Sequence, residues 1–254
     1  MKKFTFSIIV PCDKPASILI DCIQSAENQN TKSPIQILIV LRKPNTGIIN
    51  KAKKLQNKTK IKIINQKGSG IYDAMNLGIA AANGNYLLFF GQDDKLFCNK
   101  TIEKIKKSIN INPNKSVWYG NVCIDNSKIF YSEKKDLWLR NRIHHQGMIY
   151  SYDCFKKYGL FDDRLHISGD YEHTLRCLQK KAAFKKLNFT VASTSSGGRS
   201  SIPSLRSLVE VVKIRNSYYP NAMGQVGNLL SFFSYLRRCF KAYSLFQLNI
   251  LGLR

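Results

Sequence analysis

Gly70-Ile71-Tyr72-Asp73-Ala74-Met75-Asn76-Leu77-Gly78-Ile79-Ala80-Ala81-Ala82-Asn83-Gly84-Asn85-Tyr86-Leu87-Leu88-Phe89-Phe90-Gly91-Gln92-Asp93-Asp94 is the stretch that decides the fold. Ile71, Ala74, Met75, Ile79 and Ala82 recur at helical spacing, Gly84 supplies a stop, and Tyr86 to Phe90 form a short continuous apolar run. The stretch therefore predicts a helix, a tight turn and a buried strand. Two carboxylates, Asp93 and Asp94, follow the strand's carboxyl end, which is where open α/β sheets bind ligands. Adjacent acids there suit a divalent cation held by oxygen ligands. Spacing alone is served as well by acids that end a strand and cap the next helix.

Working outward, Phe4 to Val10 reads as a buried strand ended by Pro11. Ile18, Leu19, Cys22, Ile23 and Ala26 then keep helical spacing, and Ile35 to Leu41 makes a second strand. Ile48, Ile49, Ala52 and Leu55 predict another helix before a third strand at Ile61 to Ile64. This alternation predicts right-handed crossovers and a parallel half-sheet of the nucleotide-binding kind. A chain of 254 residues with 44% hydrophobic content can bury one full α/β core with a small appendage.

The net charge of +24 draws in polyanions generally, whether nucleic acid, an anionic bilayer or a phosphorylated small molecule. From Asn28 to Tyr72 there is no Asp or Glu among many lysines. Most of those lysines are ordinary solvated surface, and the remainder are available to attract a diphosphate. Gly68-Ser69-Gly70 precedes a helix and offers backbone N–H groups to phosphate, but it is too short for a Walker loop or a dinucleotide fingerprint. Seven cysteines lie scattered without a C-x-x-C pair, which favours a reducing, cytoplasmic compartment. Met1-Lys2-Lys3 leads into an apolar run at the short limit for a signal peptide, and Pro11-Cys12-Asp13-Lys14 is no small-residue cleavage site, so the run reads as a strand. No segment reaches about 18 uninterrupted apolar residues, the length of a membrane-spanning helix.

Ser7-Ile8-Ile9-Val10-Pro11, Gly70-Ile71-Tyr72-Asp73-Ala74-Met75-Asn76-Leu77-Gly78-Ile79 and Phe89-Phe90-Gly91-Gln92-Asp93-Asp94 together resemble the family 2 glycosyltransferases, which have the GT-A fold. The middle segment is the specific one: a subgroup that builds bacterial cell-surface polysaccharides carries G-I-Y-D-A-M-N almost letter for letter. The resemblance implies a GT-A-like open mixed sheet with a parallel nucleotide-binding N-terminal half, over residues 1–200. It also implies that Asp94 holds Mn²⁺ or Mg²⁺, that Asp93 lies near the ribose or sugar, and that Pro11, Asp73 and Asn76 join the donor site. Two departures stand out. The second strand runs into Leu41-Arg42-Lys43-Pro44-Asn45-Thr46-Gly47 where the family has an acid-rich run that contacts the nucleoside, and Gly68-Ser69 stands where a further Asp is usual. Either the base is held differently or the donor site has decayed.

Further along, Ile102, Ile105 and Ile109 place a helix, and Val117 to Val122 a strand resembling the family's Y-G-D-V, with Asn121 in the place of the acid. Ile129-Phe130-Tyr131 reads as a hairpin partner. His144-His145-Gln146-Gly147-Met148-Ile149-Tyr150 is similar to H-Q-A-x-F, making His145 a secondary candidate for metal or acceptor contact beside a plain hydrogen-bonded role. Ile167-Ser168-Gly169-Asp170-Tyr171-Glu172 opens a helix continued by Leu175, Leu178 and Ala182, where Asp170 serves as a helix-start acid. This segment resembles the family's F-D-E-x-Y-x-I-A-x-D-Y-D, which implies that Asp170 is the general base of inverting transfer. Phe184 to Val191 closes the fold as a strand. Ser195-Ser196-Gly197-Gly198-Arg199-Ser200 is similar to the family's G-G-x-S, leaving Gly198 either over the donor phosphates or in a linker.

Residues 201–254 change character and form a basic helical extension. Leu229, Phe232, Phe233, Leu236, Phe240 and Tyr243 fall on one side of a helix, with Arg237, Arg238 and Lys241 on the other. Such a helix either lies in an anionic membrane interface or packs on the preceding domain. The expectation is therefore a metal-dependent inverting glycosyltransferase that moves a sugar from a nucleotide-diphosphate sugar to a saccharide or lipid-linked saccharide. It would be cytoplasmic, with a peripheral seat on the inner face of the plasma membrane. A non-catalytic scaffold of the same fold would explain the missing acids, and would show no metal-dependent donor hydrolysis. A nucleic-acid-binding module would explain the charge but lacks a recognition helix, an RNP-type strand or a zinc site.

Overall fold

Strands β1 (Phe6–Cys12) and β2 (Ile35–Leu41) are apolar almost throughout because both faces of the sheet are covered. Along β1, Ile8 and Val10 enter one core while Ile9 enters the other. The first core receives α1 (Leu19–Glu27), α2 (Thr46–Leu55) and α4 (Thr101–Ile111). The second receives α3 (Ile71–Ala81), α5 (Tyr152–Tyr158), α6 (Gly169–Gln179) and part of α7 (Leu205–Tyr218). The computed structural model describes residues 5–13, 16–196 and 204–250.

β2 pairs in parallel with β1 and with β3 (Lys60–Asn65), and β1 pairs in parallel with β4 (Tyr86–Phe89). Beyond β4 the direction changes: β8 (Met148–Ser151) runs antiparallel to β4 and to β6 (Val117–Ile124). β9 (Phe184–Thr194) continues in parallel with β6, β5 (Lys95–Leu96) closes that edge, and β7 (Lys128–Phe130) forms a hairpin with β6. The nine-stranded sheet thus has the order β3-β2-β1-β4-β8-β6-β9-β5, with β7 on β6. It is the open mixed sheet that the sequence predicts, parallel in its N-terminal half. At the β3 edge exposed Lys60 and Lys62 alternate with Ile61 and Ile63, a charged rim that discourages edge-to-edge pairing.

The decisive stretch folds as read, with one difference. α3 ends at Ala81, before Gly84 is reached. Gly84 instead lets the turn lie against β1, since a Cβ there would sit 2.6 Å from the Ser7 amide nitrogen. Polar groups tie this buried turn to the sheet: Ser7 Oγ donates to Gln36 Oε1 (2.9 Å) and accepts from the Gly84 N–H (3.0 Å), and the Asn83 N–H donates to Gln36 Oε1 (3.0 Å). Gly78 plays the matching role inside α3, where a Cβ would fall 2.3 Å from Ile9 Cγ2. Two small residues therefore set how closely α3 packs on the sheet.

The helix expected to reach Ala182 ends at Gln179, and α5 was not foreseen because its seven residues carry too little periodicity. At the C-terminus α8 (Ala222–Ile250) is longer than the pattern from Leu229 to Gln247. It docks on α7 through a face of small and polar residues that includes Gly224, Gly227, Asn228 and Ser231. Leu229, Phe232, Phe233, Phe240 and Tyr243 point outward instead. Among the described residues no helix is long and apolar enough to cross a membrane.

Because the obstacle at Gly84 is backbone, Gly84→Ala is expected to cost about 1–3 kcal/mol, read as a lower urea midpoint. An unchanged midpoint would mean that this turn yields freely.

Candidate active site

A cleft of about 640 Å³ opens at the carboxyl ends of β1 and β4, and Pro11, Asp93, Asp94, His145 and Asp170 all line it. These five residues come from four distant segments of the sequence, and the fold brings them to one cavity. β1 contributes Pro11 at its end, and the Asp13 N–H donates to Gln92 Oε1 (2.9 Å), which ties the strand to the acidic turn after β4. In that turn Asp94 Oδ2 accepts the Gly91 N–H. The Asp94 side chain is buried, and its Oδ1 has no hydrogen-bond partner among the described residues. A buried carboxylate oxygen left without a donor is unfavourable, and a cation is the usual remedy.

Among the described residues no three His, Cys, Asp or Glu side chains gather into a metal site by themselves. The donor set does fit Mg²⁺ or Mn²⁺ in the manner of phosphate-dependent sites, in which one or two carboxylates hold the ion and substrate phosphates and water complete its shell. Asp93 has a different partner: its Oδ2 accepts from Ser195 Oγ, just beyond β9. Ser196 N in turn donates to Asp125 Oδ1 (2.9 Å), so this segment is laid across the acidic turn. Gly198, the next residue of interest, lies outside the described residues.

Asp170 sits in the first turn of α6 with three side chains around it. His145 Nδ1 lies 3.5 Å from Oδ2, Asn141 Nδ2 3.3 Å from Oδ2, and Tyr72 Oη 3.2 Å from Oδ1. Tyr72 Oη is also 2.8 Å from the Ile167 carbonyl. Burial on its own pushes the Asp170 carboxyl up, but the hydrogen bond and charge of His145, the Tyr171 amide and the Tyr72 hydroxyl together hold it below the ordinary carboxylate value. For His145 burial works downward, and Asp170, with a smaller contribution from Asp94, raises it above the ordinary histidine value. Asp170 is thus an ionised carboxylate beside a histidine that favours its charged form. His144, stacked on His145 at 5.9 Å, moves the opposite way, lowered by burial and then by its neighbour's charge.

Asp73 and Asn76 are not among the residues lining the cleft. Asp73 Oδ2 accepts from Gln66 Nε2 (2.7 Å), and Gly68 packs beside it, a Cβ there falling 2.6 Å from that same oxygen. Asn76 uses its whole amide on one backbone partner, with Nδ2 donating to the Phe161 carbonyl (2.9 Å) and Oδ1 accepting the Phe161 N–H (3.1 Å). Both residues shape the wall behind Gly70 and Tyr72. Arg42 lines the cleft at the end of β2, where the acid-rich run was missing. Asn121 Oδ1 accepts the Ser132 N–H (3.2 Å), a loop contact in β6.

Asn141, Tyr72 and Arg238 are cleft residues that sequence reasoning did not single out. Tyr72 was within reach, because it belongs to the decisive helix beside an expected site residue. Asn141 stands in an irregular segment without any period, and Arg238 was read only as part of a basic face.

The description "Glycosyl transferase family 2" matches residues 7–182, and the chain belongs to that family. A PGL/p-HBAD biosynthesis glycosyltransferase of Mycobacterium tuberculosis is 26% identical over 210 residues, covering 76% of this chain and 77% of that protein. An uncharacterized glycosyltransferase of Rickettsia typhi is 28% identical over 209 residues, covering 72% and 63%. Among solved structures, S. aureus TarS 1–349 in complex with UDP-GlcNAc superposes with a TM-score of 0.70 at 17% identity, over 94% of this chain and 73% of that one. The mannosyltransferase PcManGT of Pyrobaculum calidifontis, in complex with GDP-Man and Mn²⁺, gives 0.66 at 12% identity, over 100% and 81%. The chain spans 44% of the longer S. aureus TarS structure. These likenesses establish the GT-A fold, and the family match establishes a glycosyltransferase.

The Asp170–His145 pair gives a signed pH expectation. The lowered Asp170 stabilises above its ordinary value of 3.8 and loses that contribution as pH falls through the folded value. The raised His145 stabilises below 6.5 and loses it as pH rises through its own folded value. The deficit in melting temperature of Asp170→Asn against wild type should therefore be greatest between pH 3.8 and 6.5 and shrink on either side. A deficit that does not change with pH would show that the two groups are not coupled.

Proposed function

We propose that this glycosyltransferase inverts the anomeric centre while moving a sugar from a nucleotide-diphosphate donor to a saccharide or lipid-linked saccharide acceptor. The observation that carries the reading is the unpartnered Asp94 Oδ1 in the same cleft as an ionised Asp170. The cavity's volume of about 640 Å³ suits a ligand of nucleotide-sugar size. TarS with UDP-GlcNAc and PcManGT with GDP-Man and Mn²⁺ share the fold and bind donors of this class.

Asp94 would hold Mn²⁺ or Mg²⁺ through Oδ1, with Gly91 fixing the other oxygen. A divalent cation there supplies electrostatic stabilisation to the departing diphosphate. Asp93, steadied by Ser195, would meet the ribose or sugar, and Pro11 would border the nucleoside at the end of β1. Arg42, a donor with no acceptor capacity, replaces an acid beside the nucleoside and so asks for an acceptor edge or a phosphate there. Asp170 would take the proton of the acceptor hydroxyl as its oxygen bonds to the anomeric carbon. The bond from that carbon to the diphosphate breaks with its electron pair leaving on the diphosphate oxygen, so one displacement inverts the centre without a covalent enzyme intermediate. His145, Asn141 and Tyr72 would keep the carboxylate ionised and aimed.

The same reading places the protein peripherally on an anionic inner-leaflet surface. Its support is the outward apolar side of α8, with exposed Phe232, Phe233 and Phe240 beside exposed Arg237 and Lys241. Arg238 of the same helix reaches the cleft, which suits an acceptor that arrives on a lipid.

A donor screen with Mn²⁺, read as nucleotide release, tests the enzyme. Asp94→Asn should lower the rate by roughly 100- to 1,000-fold, and release indifferent to the substitution would remove the metal role. Flotation with vesicles rich in anionic lipid tests the surface. Wild type should float, and the double variant Phe233→Glu, Phe240→Glu should not; equal flotation would rule out α8 as the seat.

A further inference from the structure

Helix α7 lies beyond the segment that matches the family, yet it sends two buried charges of opposite sign to two backbone segments that lead to Asp170 and to its partners. Glu210 Oε1 accepts the His166 N–H (2.8 Å), and Oε2 accepts the N–H groups of Ile167 (3.0 Å) and Ser168 (2.9 Å). These residues lead straight into α6, whose first turn carries Asp170. Tyr72 grips the same segment from α3 through the Ile167 carbonyl. The approach to Asp170 is thus held at three successive amides by one carboxylate, with charge-assisted bonds about twice as strong as neutral ones.

Arg215, fully buried one and a half turns further along α7, holds the other segment. Its Nε donates to the Trp138 carbonyl (2.6 Å) and its Nη2 to the Leu139 carbonyl (2.9 Å). That segment runs on to Asn141, which bonds Asp170, and to His145, which pairs with it. The guanidinium is completed by Asn228 Oδ1 (2.8 Å) and Ser231 Oγ (3.1 Å) on α8. Gly227 allows that approach, because a Cβ there would lie 2.7 Å from the Trp138 carbonyl and 2.9 Å from Arg215 Nε.

We infer that Glu210 and Arg215 are positioning residues for sugar transfer: α7 fastens residues 166–168 and 138–139 so that Asp170 meets Asn141, His145 and the acceptor in one fixed geometry. The inference rests on Asp170 acting as the base. A carboxylate is required at 210, since an amide would turn its NH₂ group toward backbone N–H groups and leave donors facing donors. A fork-shaped donor is required at 215, since an ammonium cannot reproduce the planar arrangement that serves two carbonyls and two side chains. Neither residue is among those lining the cleft. Their effect is on orientation, which acts on the rate of the chemical step more than on donor binding.

The test uses the full chain with Glu210→Gln, Glu210→Asp and Arg215→Lys, kinetics per folded molecule on the donor found in the screen, and hydrogen exchange at residues 166–168. Glu210→Gln should lower kcat by roughly 10- to 100-fold while the donor KM stays within about threefold. Exchange at those three amides should quicken, and Glu210→Asp should recover part of the rate. Arg215→Lys should lower kcat in the same way, and it serves as the kinetic test if Glu210→Gln does not fold. A kcat within about twofold of wild type in the variants that fold, or a KM that rises as much as kcat falls, would overturn the inference. A folded wild type inactive with every nucleotide sugar would instead overturn the transfer reading. The anchor would then stand or fall on the exchange at residues 166–168 alone.

Discussion

Asp94 is withdrawn from solvent at the end of β4, with one carboxylate oxygen taken by the Gly91 amide and the other without a donor among the described residues. Such an oxygen costs free energy unless something else meets it. The rest of the N-terminal half serves to hold it there. Parallel pairing of β1 with β4 sets the depth of the acidic turn, and the Asp13–Gln92 bond fixes its angle. Gly78 and Gly84 let α3 lie close enough for Gly70 and Tyr72 to form the neighbouring wall. Net charge adds a field of the right sign for a diphosphate around a site that is itself acidic.

The parallel half-sheet was legible because its signals are local. The run from Ile35 to Leu41 has no polar face to confuse the period and appears in the structure with the same bounds, while the other parallel strands shift by one or two residues at their ends. The segments carrying Asp93, Asp94 and Asp170 could be found because each is short and distinctive. What the sequence could not supply is the company those residues keep. Asn76 reads as a donor contact in its motif, and only the fold reveals that Phe161, 85 positions away, takes both ends of its amide. His145 stands out locally as a candidate but not as a partner of Asp170, and Asn141 reaches Asp170 from a loop without periodicity, so nothing local announces it.

The C-terminal helices show how far burial depends on context. The pattern from Leu229 to Tyr243 marks an apolar stripe correctly, but a stripe does not say what covers it. In the fold the opposite, small-residue side of α8 is the one that docks, since Gly224 and Gly227 admit backbone approach where large side chains would not. Glu210 and Arg215 look like ordinary charges of a basic tail in sequence, yet both are buried and committed to backbone groups around Asp170. The extension thereby becomes part of the cleft's architecture, with its larger apolar side chains at the surface.

The most direct measurement of the central claim is the affinity of the folded protein for a nucleoside diphosphate with and without Mn²⁺, in wild type and Asp94→Asn. If the Asp94 oxygen awaits a cation shared with the diphosphate, Mn²⁺ should tighten binding by about tenfold or more in wild type, the equivalent of about 1.4 kcal/mol, and leave the variant unchanged. Binding that ignores Mn²⁺ in wild type, or a gain that survives in Asp94→Asn, would contradict the account.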